Sequence, residues 1–320
     1  MWKLRTLIAG MFVVAAATTT LAQEPTSGII KLIVPFAPGG SSDTVARLIA
    51  GPFGEALHRT VIVENRSGAG GAIGTEFVAR APADGNTLLV AFDSHTILPV
   101  VNKSLNYDTE RDFAPISQLT AAPLVVVVNQ HVPAHTISEL IAYARRTPGG
   151  LNFGSVPDSS PHLAGLLFKT TTGAPLVHIP YRGGAPAVKD LLAGQIQLMF
   201  AGPQVIAPFI VKGTLRGIAV TANHRFALMP DLPTVAEAGY ADVNASTWVG
   251  LLAPAKTPEP ILRRYEAVVR KIIQTPDIVS RLHALKLDVV GSSAKEFSTF
   301  ISNDIKRWKR VVSEAGLAIH

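Results

Sequence analysis

Short apolar, β-branched runs alternate along the chain with longer amphipathic stretches. Strands are predicted at residues 29–34, 60–64, 87–91, 124–129, 176–180, 196–200 and 215–220. Helical stretches separate most of them. Such alternation predicts parallel α/β sheets covered by helices on both faces.

Several helices carry their own end signals. Ser293 and Glu296 have the spacing of a capping box, Phe297, Phe300, Ile301, Ile305, Trp308, Val311 and Val312 recur at helical spacing, and Gly316 follows as a stop. Pro258 and Pro260 open another helix, with Ile261, Leu262, Tyr265, Val268, Val269 and Ile272 as its inward face. A first helix at about residues 42–58 contains Gly51-Pro52. Proline inside a helix removes a ladder bond and crowds the preceding turn, so a kink or break is predicted there. Residues near 124 and the segment 248–254 read as two crossings between domains. A first domain, 23–122 with 247–320, would then hold both ends of the mature chain, and a second, 123–246, would be inserted into it.

The first residues follow another pattern. Lys3 and Arg5 precede an apolar run at residues 7–17, and Thr20-Leu21-Ala22 offers small side chains before Gln23. This is the layout of a secretory signal peptide, with an apolar run too short to span a bilayer. Cleavage near Ala22 leaves 298 of the 320 residues, enough for two domains with their own cores. It also removes two basic residues, leaving 27 basic against 23 acidic and a net charge of +4. The basic residues are scattered, so no nucleic-acid partner is expected. The absence of cysteine excludes a disulfide framework and leaves no thiol for a lipid anchor. These features predict a soluble protein of the periplasm that is not a lipoprotein.

The densest chemical signal is Val34-Pro35-Phe36-Ala37-Pro38-Gly39-Gly40-Ser41-Ser42-Asp43. A strand ends in a turn rich in proline and glycine, and Ser41, Ser42 or Asp43 can cap the next helix. Glycine lets backbone N–H groups point into open space, and the unpaired N–H groups of a helix start attract anions. No Gly-Lys-Ser/Thr follows, so this is not a phosphate-binding P-loop. A plain strand–turn–helix connection explains these residues as well as an anion site does.

The same grammar recurs in Phe153-Gly154-Ser155-Val156-Pro157-Asp158-Ser159-Ser160-Pro161-His162. One such loop per domain is what a cleft needs to close on a single anion; the alternative is a chance repeat of turn chemistry. A third loop, Pro180-Tyr181-Arg182-Gly183-Gly184-Ala185-Pro186, opens another helix. Its Tyr181 and Arg182 either reach a ligand or, respectively, cover the core and make a surface ion pair. Asp93, Ser94 and His95 follow the strand at 87–91, at the carboxyl edge where open α/β sheets place ligands.

Enzyme motifs fail on spacing. In Val63-Glu64-Asn65-Arg66-Ser67-Gly68-Ala69-Gly70-Gly71-Ala72-Ile73-Gly74 the third glycine of a dinucleotide fingerprint would fall at Ile73 and falls at Gly74 instead. There is no Gly-x-Ser-x-Gly elbow and no His-Glu-x-x-His, and Pro133 separates His131 from His135. No catalytic constellation, metal site or cofactor is expected.

The three loops resemble those of the tripartite tricarboxylate transporter receptors, the Bug or TctC family of periplasmic solute-binding proteins. The likeness covers nearly the whole mature chain. It takes in residues 34–47, Val63-Glu64-Asn65-Arg66 with Gly68-Ala69-Gly70-Gly71, Ala83-Asp84-Gly85 and Asp112-Phe113-Ala114-Pro115-Ile116. It continues through His162-Leu163-Ala164, Tyr181-Arg182-Gly183 with Pro186-Ala187, Asp190-Leu191-Leu192 with Gly194-Gln195-Ile196, and residues 232–239. The resemblance implies a two-domain Venus-flytrap fold of the type II kind, each domain a mostly parallel sheet flanked by helices. It further implies a small carboxylate held by backbone N–H groups, hydroxyls and ordered waters. Carried over by position, the ligand-binding residues are Phe36, Ala37, Pro38, Gly39, Gly40, Ser41 and Ser42, then Ser155, Val156, Asp158, Ser159, Ser160 and His162, with Tyr181, Arg182 and Gly183. Asp43 would serve more as a cap than as a ligand contact. Where the family often has a glycine-rich segment after Gly154-Ser155, this chain has Val156-Pro157-Asp158. Asp93, Ser94 and His95 would set the distal end, with Asp93 repelling a second carboxylate and favouring an amino or hydroxyl group. The implied protein is a monomer that hands its ligand to membrane permease subunits. The alternative is a sensory receptor of the same fold, facing a membrane histidine kinase.

Overall fold

The computed structural model describes residues 28–314 and residue 316. The signal peptide and its cleavage site lie outside the described residues. The chain opens with β1 (Ile30–Val34), α1 (Ser41–Leu57), β2 (Val61–Asn65), α2 (Ala72–Ala79), β3 (Thr87–Phe92), α3 (Ser94–Val101) and the long β4 (Phe113–Pro123). It continues through β5 (Val125–Asn129), α4 (Ile137–Arg146), β6 (Leu151–Ser155), α5 (Ser160–Thr172), β7 (Leu176–Pro180), α6 (Gly184–Leu192), β8 (Leu198–Ala201), α7 (Pro203–Val211) and β9 (Leu215–Val220). It returns with β10 (Ser246–Pro254), α8 (Glu259–Ile273), α9 (Pro276–Ala284), β11 (Asp288–Val289) and α10 (Ala294–Glu314).

Two sheets result, one ordered β11-β4-β10-β3-β1-β2 and the other β7-β6-β8-β5-β9. Both are mixed. In the first, β2, β1 and β3 are parallel neighbours, while β10, β4 and β11 pair antiparallel. In the second, β7, β6 and β8 are parallel, while β5 runs antiparallel to both β8 and β9. The parallel half of each sheet is the half that the repeated strand–helix units foreshadow. The antiparallel half contains the strands next to the crossings, where the chain enters each sheet from the other one.

The chain passes from the first sheet to the second at Leu124, between β4 and β5, and returns at Ala245, just before β10. Residues 248–254, expected as a crossing, lie within β10 itself. The two crossings touch. The Leu124 N–H donates to the Ala245 carbonyl at 3.2 Å and to Thr221 Oγ1 at 3.0 Å, and the Thr221 hydroxyl donates to the Ala245 carbonyl at 2.6 Å. One buried threonine at the end of β9 therefore ties both connecting segments together.

The end signals at the last helix hold. Ser293 Oγ accepts from the Glu296 N–H and the Glu296 carboxylate accepts from the Ser293 N–H, a reciprocal capping box. Phe297, Ile301, Ile305, Trp308, Val311 and Val312 are buried along one face of α10. In α8, Tyr265, Val269 and Ile272 are buried, with Ile261, Leu262 and Val268 half-buried beside them. The break expected at Gly51-Pro52 does not occur, and α1 continues through both residues. The residue before a proline resists helical backbone angles mainly through its Cβ, and Gly51 has none.

Candidate functional site

The carboxyl ends of the parallel strands carry the loops singled out in the sequence. After β1, residues 36–40 turn into α1. Gly39 has φ +89, in the region that favours glycine, whereas Gly40 has φ −77, which any residue adopts. Asp43 is the keystone of this turn. Its carboxylate accepts from the Gly39 N–H at 2.9 Å, from Asn65 Nδ2 at 2.9 Å and from Arg47 Nε at 3.0 Å. Burial alone would raise the Asp43 pKa, but Arg47, Gly39 and Asn65 outweigh it and hold the carboxyl below its ordinary value. Asn65 also donates to the Phe36 carbonyl at 3.0 Å, fixing the loop from β2. The Gly39 N–H is thus turned inward to Asp43. The N–H groups of Ala37, Gly40, Ser41 and Ser42 donate to no protein atom among the described residues.

The glycine run after β2 supports the same loop. Gly74 lies against Pro35 and the Arg66 carbonyl so closely that a Cβ would come within 2.7 Å of the latter. The fingerprint-like segment is a tight strand–helix packing element.

The second loop follows β6. Asp158 takes a left-handed φ of +57, and its N–H donates to His162 Nδ1 at 3.2 Å. An aspartate in that conformation does the turning that a glycine-rich segment would do. Ser159 caps α5, accepting from the His162 N–H while its hydroxyl donates to the Val156 carbonyl at 2.6 Å. Ser155 Oγ lies 2.7 Å from His178 Nε2. The N–H groups of Val156, Ser159 and Ser160 donate to no protein atom among the described residues.

His162 stacks on His178 with ring centroids 4.0 Å apart. Burial, then the neighbouring His178, pushes His162 down to about 4, and burial lowers His178 as well. A histidine with a depressed folded pKa stabilises the fold above its unfolded value near 6.5 and loses that contribution as pH falls through the folded one. Acidification from pH 6.5 to 4 should therefore destabilise the protein. His162→Phe, which keeps a stacked ring but cannot take a proton, should flatten that slope in urea unfolding series; an unchanged slope would place the acid sensitivity elsewhere.

The third loop divides its two candidates. The Tyr181 hydroxyl donates to Asp190 at 2.7 Å, and its pKa is pushed up to about 12 by burial and by that carboxylate. Tyr181 is thus committed within its own lobe. Arg182 is exposed and makes no ion pair among the described residues, and Gly183 is the N-cap of α6.

Two contacts bring the sheets' loops together. The Ser160 hydroxyl, at the start of α5, donates to the Asp93 carboxylate at the end of β3. Gln204 Nε2, at the start of α7, donates to Ser41 Oγ at 2.6 Å. Since β1 and β3 are parallel neighbours, as are β6 and β8, all four chain ends meet on one interface between the sheets. Phe36 and Phe92 pack edge-on at 5.6 Å in the same region.

Asp93 is 2% exposed, and among the described residues no lysine or arginine pairs with it. Desolvation, partly offset by the Ser160 hydroxyl and reinforced by Asp304, raises it to about 7. Ser94 is buried beside it. The His95 ring is buried edge-on against Phe113 at 5.0 Å, neither nitrogen has a partner, and burial pushes its pKa down to about 3.

Sequence reasoning missed Gln204 and Asp304. Gln204 stands in an apolar stretch with no motif around it; its position straight after β8, at a helix start, was the available signal. Asp304 is buried on the inward face of α10, where it accepts from Thr96, Trp308 and Arg307. A separate hollow of about 370 Å³, lined by residues including Thr171, Asn244, Arg307 and Arg310, contains none of the candidate residues.

Two α/β lobes joined by paired crossings, with serine- and glycine-rich helix starts facing each other between them, define a two-domain periplasmic binding protein fold. The sequence profile of the tripartite tricarboxylate transporter family receptor matches residues 45–317, and the chain belongs to that family. It is 34% identical over 314 residues to the protein BugT of Bordetella pertussis, covering 97% of this chain and 96% of BugT. Among solved structures it resembles Rpa4515 of R. palustris with adipate, at TM-score 0.84 and 32% identity, covering 90% of this chain and 97% of that one. It also resembles MatC of Rhodopseudomonas palustris with bound malate, at TM-score 0.80 and 30% identity, covering 89% and 98%. Among the described residues no helix is long and apolar enough to cross a membrane, and no group of three or more His, Asp or Glu residues could hold a metal ion.

Proposed function

We propose that the protein is a periplasmic receptor that captures a small carboxylate between its lobes and delivers it to the membrane subunits of a tripartite tricarboxylate transporter. The lobes in this reading are residues 23–122 with 247–320, and 123–246. One ligand carboxylate is gripped by the loops 36–42 and 155–160, with Arg182 and Gly183 at the margin and Asp93 beside Ser160 of the second loop. What supports the reading is that seven backbone N–H groups, on Ala37, Gly40, Ser41 and Ser42 and on Val156, Ser159 and Ser160, donate to no protein atom among the described residues and lie in loops that two inter-lobe hydrogen bonds bring together. Hydrogen bonds to a charged oxygen contribute about 1.5–3 kcal/mol each, so a few of them hold an anion without a formal cation. The adipate and malate held by related chains agree with this chemistry. The protein binds its ligand and releases it unchanged.

A thermal-shift screen of carboxylates against protein refolded from denaturant tests the binding step; no shift with any carboxylate would end the reading. Deleting the gene should abolish uptake of the ligand so found. Normal uptake with a lost transcriptional response would instead indicate a sensory receptor. The mature chain is expected to start at Gln23, and intact mass of the exported protein checks it; a retained N-terminus would refute cleavage after Ala22.

A further inference from the structure

Resting on the carboxylate-receptor reading, we propose that Asp93 and Gln204 form an acceptor-rich second half of the site, which takes a ligand ammonium group. The ligand class is then an amino-terminated carboxylate and not a dicarboxylate.

The first observation is an uncompensated charge. Asp93 lies between the lobes, 2% exposed, with the Ser160 hydroxyl and the Ser94 N–H as its donors and no ion pair among the described residues. The other acid near it, Asp304, is already matched by Arg307 at 2.7 Å. A buried carboxylate without a counter-charge is costly, and a ligand that brings the missing cation recovers that cost on closure. A second carboxylate would add to it.

The second observation is independent and comes from the opposite lobe. Gln204 donates through Nε2 to Ser41, while its Oε1 is buried and has no donor. A buried amide oxygen without a donor favours a ligand that supplies an N–H. Asp93 and Gln204 stand at chain ends of the two sheets, each one hydrogen bond from a residue of the opposite lobe, and an ammonium group carries the N–H donors that both acceptors lack.

Calorimetry on refolded protein, with β-alanine, 4-aminobutyrate and 5-aminopentanoate against succinate, glutarate and adipate, tests this. Wild type should bind the amino member of the best-fitting pair at least roughly tenfold more tightly, the discrimination expected of a buried charge match. Asp93→Asn and Gln204→Leu should each lose most of that preference, read as the ratio of the two affinities within each variant. Circular dichroism checks that the variants are folded, and two variants in different lobes guard against a folding defect in one. Equal or tighter binding of the dicarboxylate by wild type overturns the proposal while leaving the receptor reading intact. So does dicarboxylate binding that tightens from pH 8 to 5 with no amino preference, because a proton would then be satisfying Asp93. If no carboxylate of any kind binds, the receptor reading falls and takes the proposal with it.

Discussion

Gly40→Val is expected to abolish ligand-induced compaction in small-angle scattering while the protein remains folded. Gly40 has φ −77, and a Cβ there would meet only the Ala37 carbonyl at 3.8 Å, so valine is accommodated in the loop. Its cost to α1 is a poor N-cap, about 1 kcal/mol. The proposed grip requires the space beside Gly40 to hold the ligand carboxylate, and valine would fill it. Losing two hydrogen bonds to a charged oxygen weakens binding by roughly 100-fold or more. Only the closed form brings both loops to one carboxylate, so loss of the grip is also loss of closure. Arg182→Ala should cost less than about tenfold, because an exposed arginine at the margin contributes little. If Arg182→Ala is the more damaging change, the site is built around an ion pair and the backbone mechanism is wrong. Gly39, not Gly40, is the position where a side chain would strain the backbone, and Gly39→Val should lower stability as well as binding.

Replacing Asp93 by asparagine should stabilise the form in which Ser160 of the other lobe covers it, by an amount that grows with pH. The folded pKa of Asp93 is raised, from 3.8 to about 7, so its contribution is intact below pH 4 and lost as pH rises through 7. The groups acting on it are Ser160 from α5, Asp304 with its partner Arg307 from α10, and the Ser94 N–H at the start of α3. Asparagine keeps an oxygen for the Ser160 hydroxyl and carries no charge to desolvate. The gain over wild type should be near zero at pH 4 and reach a plateau above pH 7, on the order of 4 kcal/mol at 1.36 kcal/mol per unit. Taking the difference between variant and wild type at each pH cancels the opposing histidines His95, His162 and His178. A gain independent of pH would mean that Asp93 stays ionised and compensated in the folded protein.

Much of the parallel half of each sheet was legible because those strands are short apolar runs ending in turn residues. The 176–180 strand falls where the periodicity puts it, and so does 215–220 in the antiparallel half. The strand β4 was not read, since Pro115, Gln118, Thr120 and Pro123 break its pattern. It pairs with β10 across two irregularities in register, and long-range pairing leaves no local signature. The candidate site was legible as loops and illegible as contacts. Composition marked 36–42 and 155–160, but not that Asp43 would consume the Gly39 N–H or that Asp158 would supply the left-handed turn. Tyr181 looked available and is bound to Asp190. Gln204 carried no motif at all, because its partner Ser41 lies 163 residues away in the chain.

The central claim is that the two lobes close on a carboxylate. Scattering from the mature chain, refolded from denaturant and measured with and without the carboxylate that best raises its thermal midpoint, tests this most directly. An open ligand-free form and a smaller radius of gyration on stoichiometric binding are expected, with the change lost in Gly40→Val. Binding that leaves the radius of gyration of the wild-type protein unchanged would contradict it.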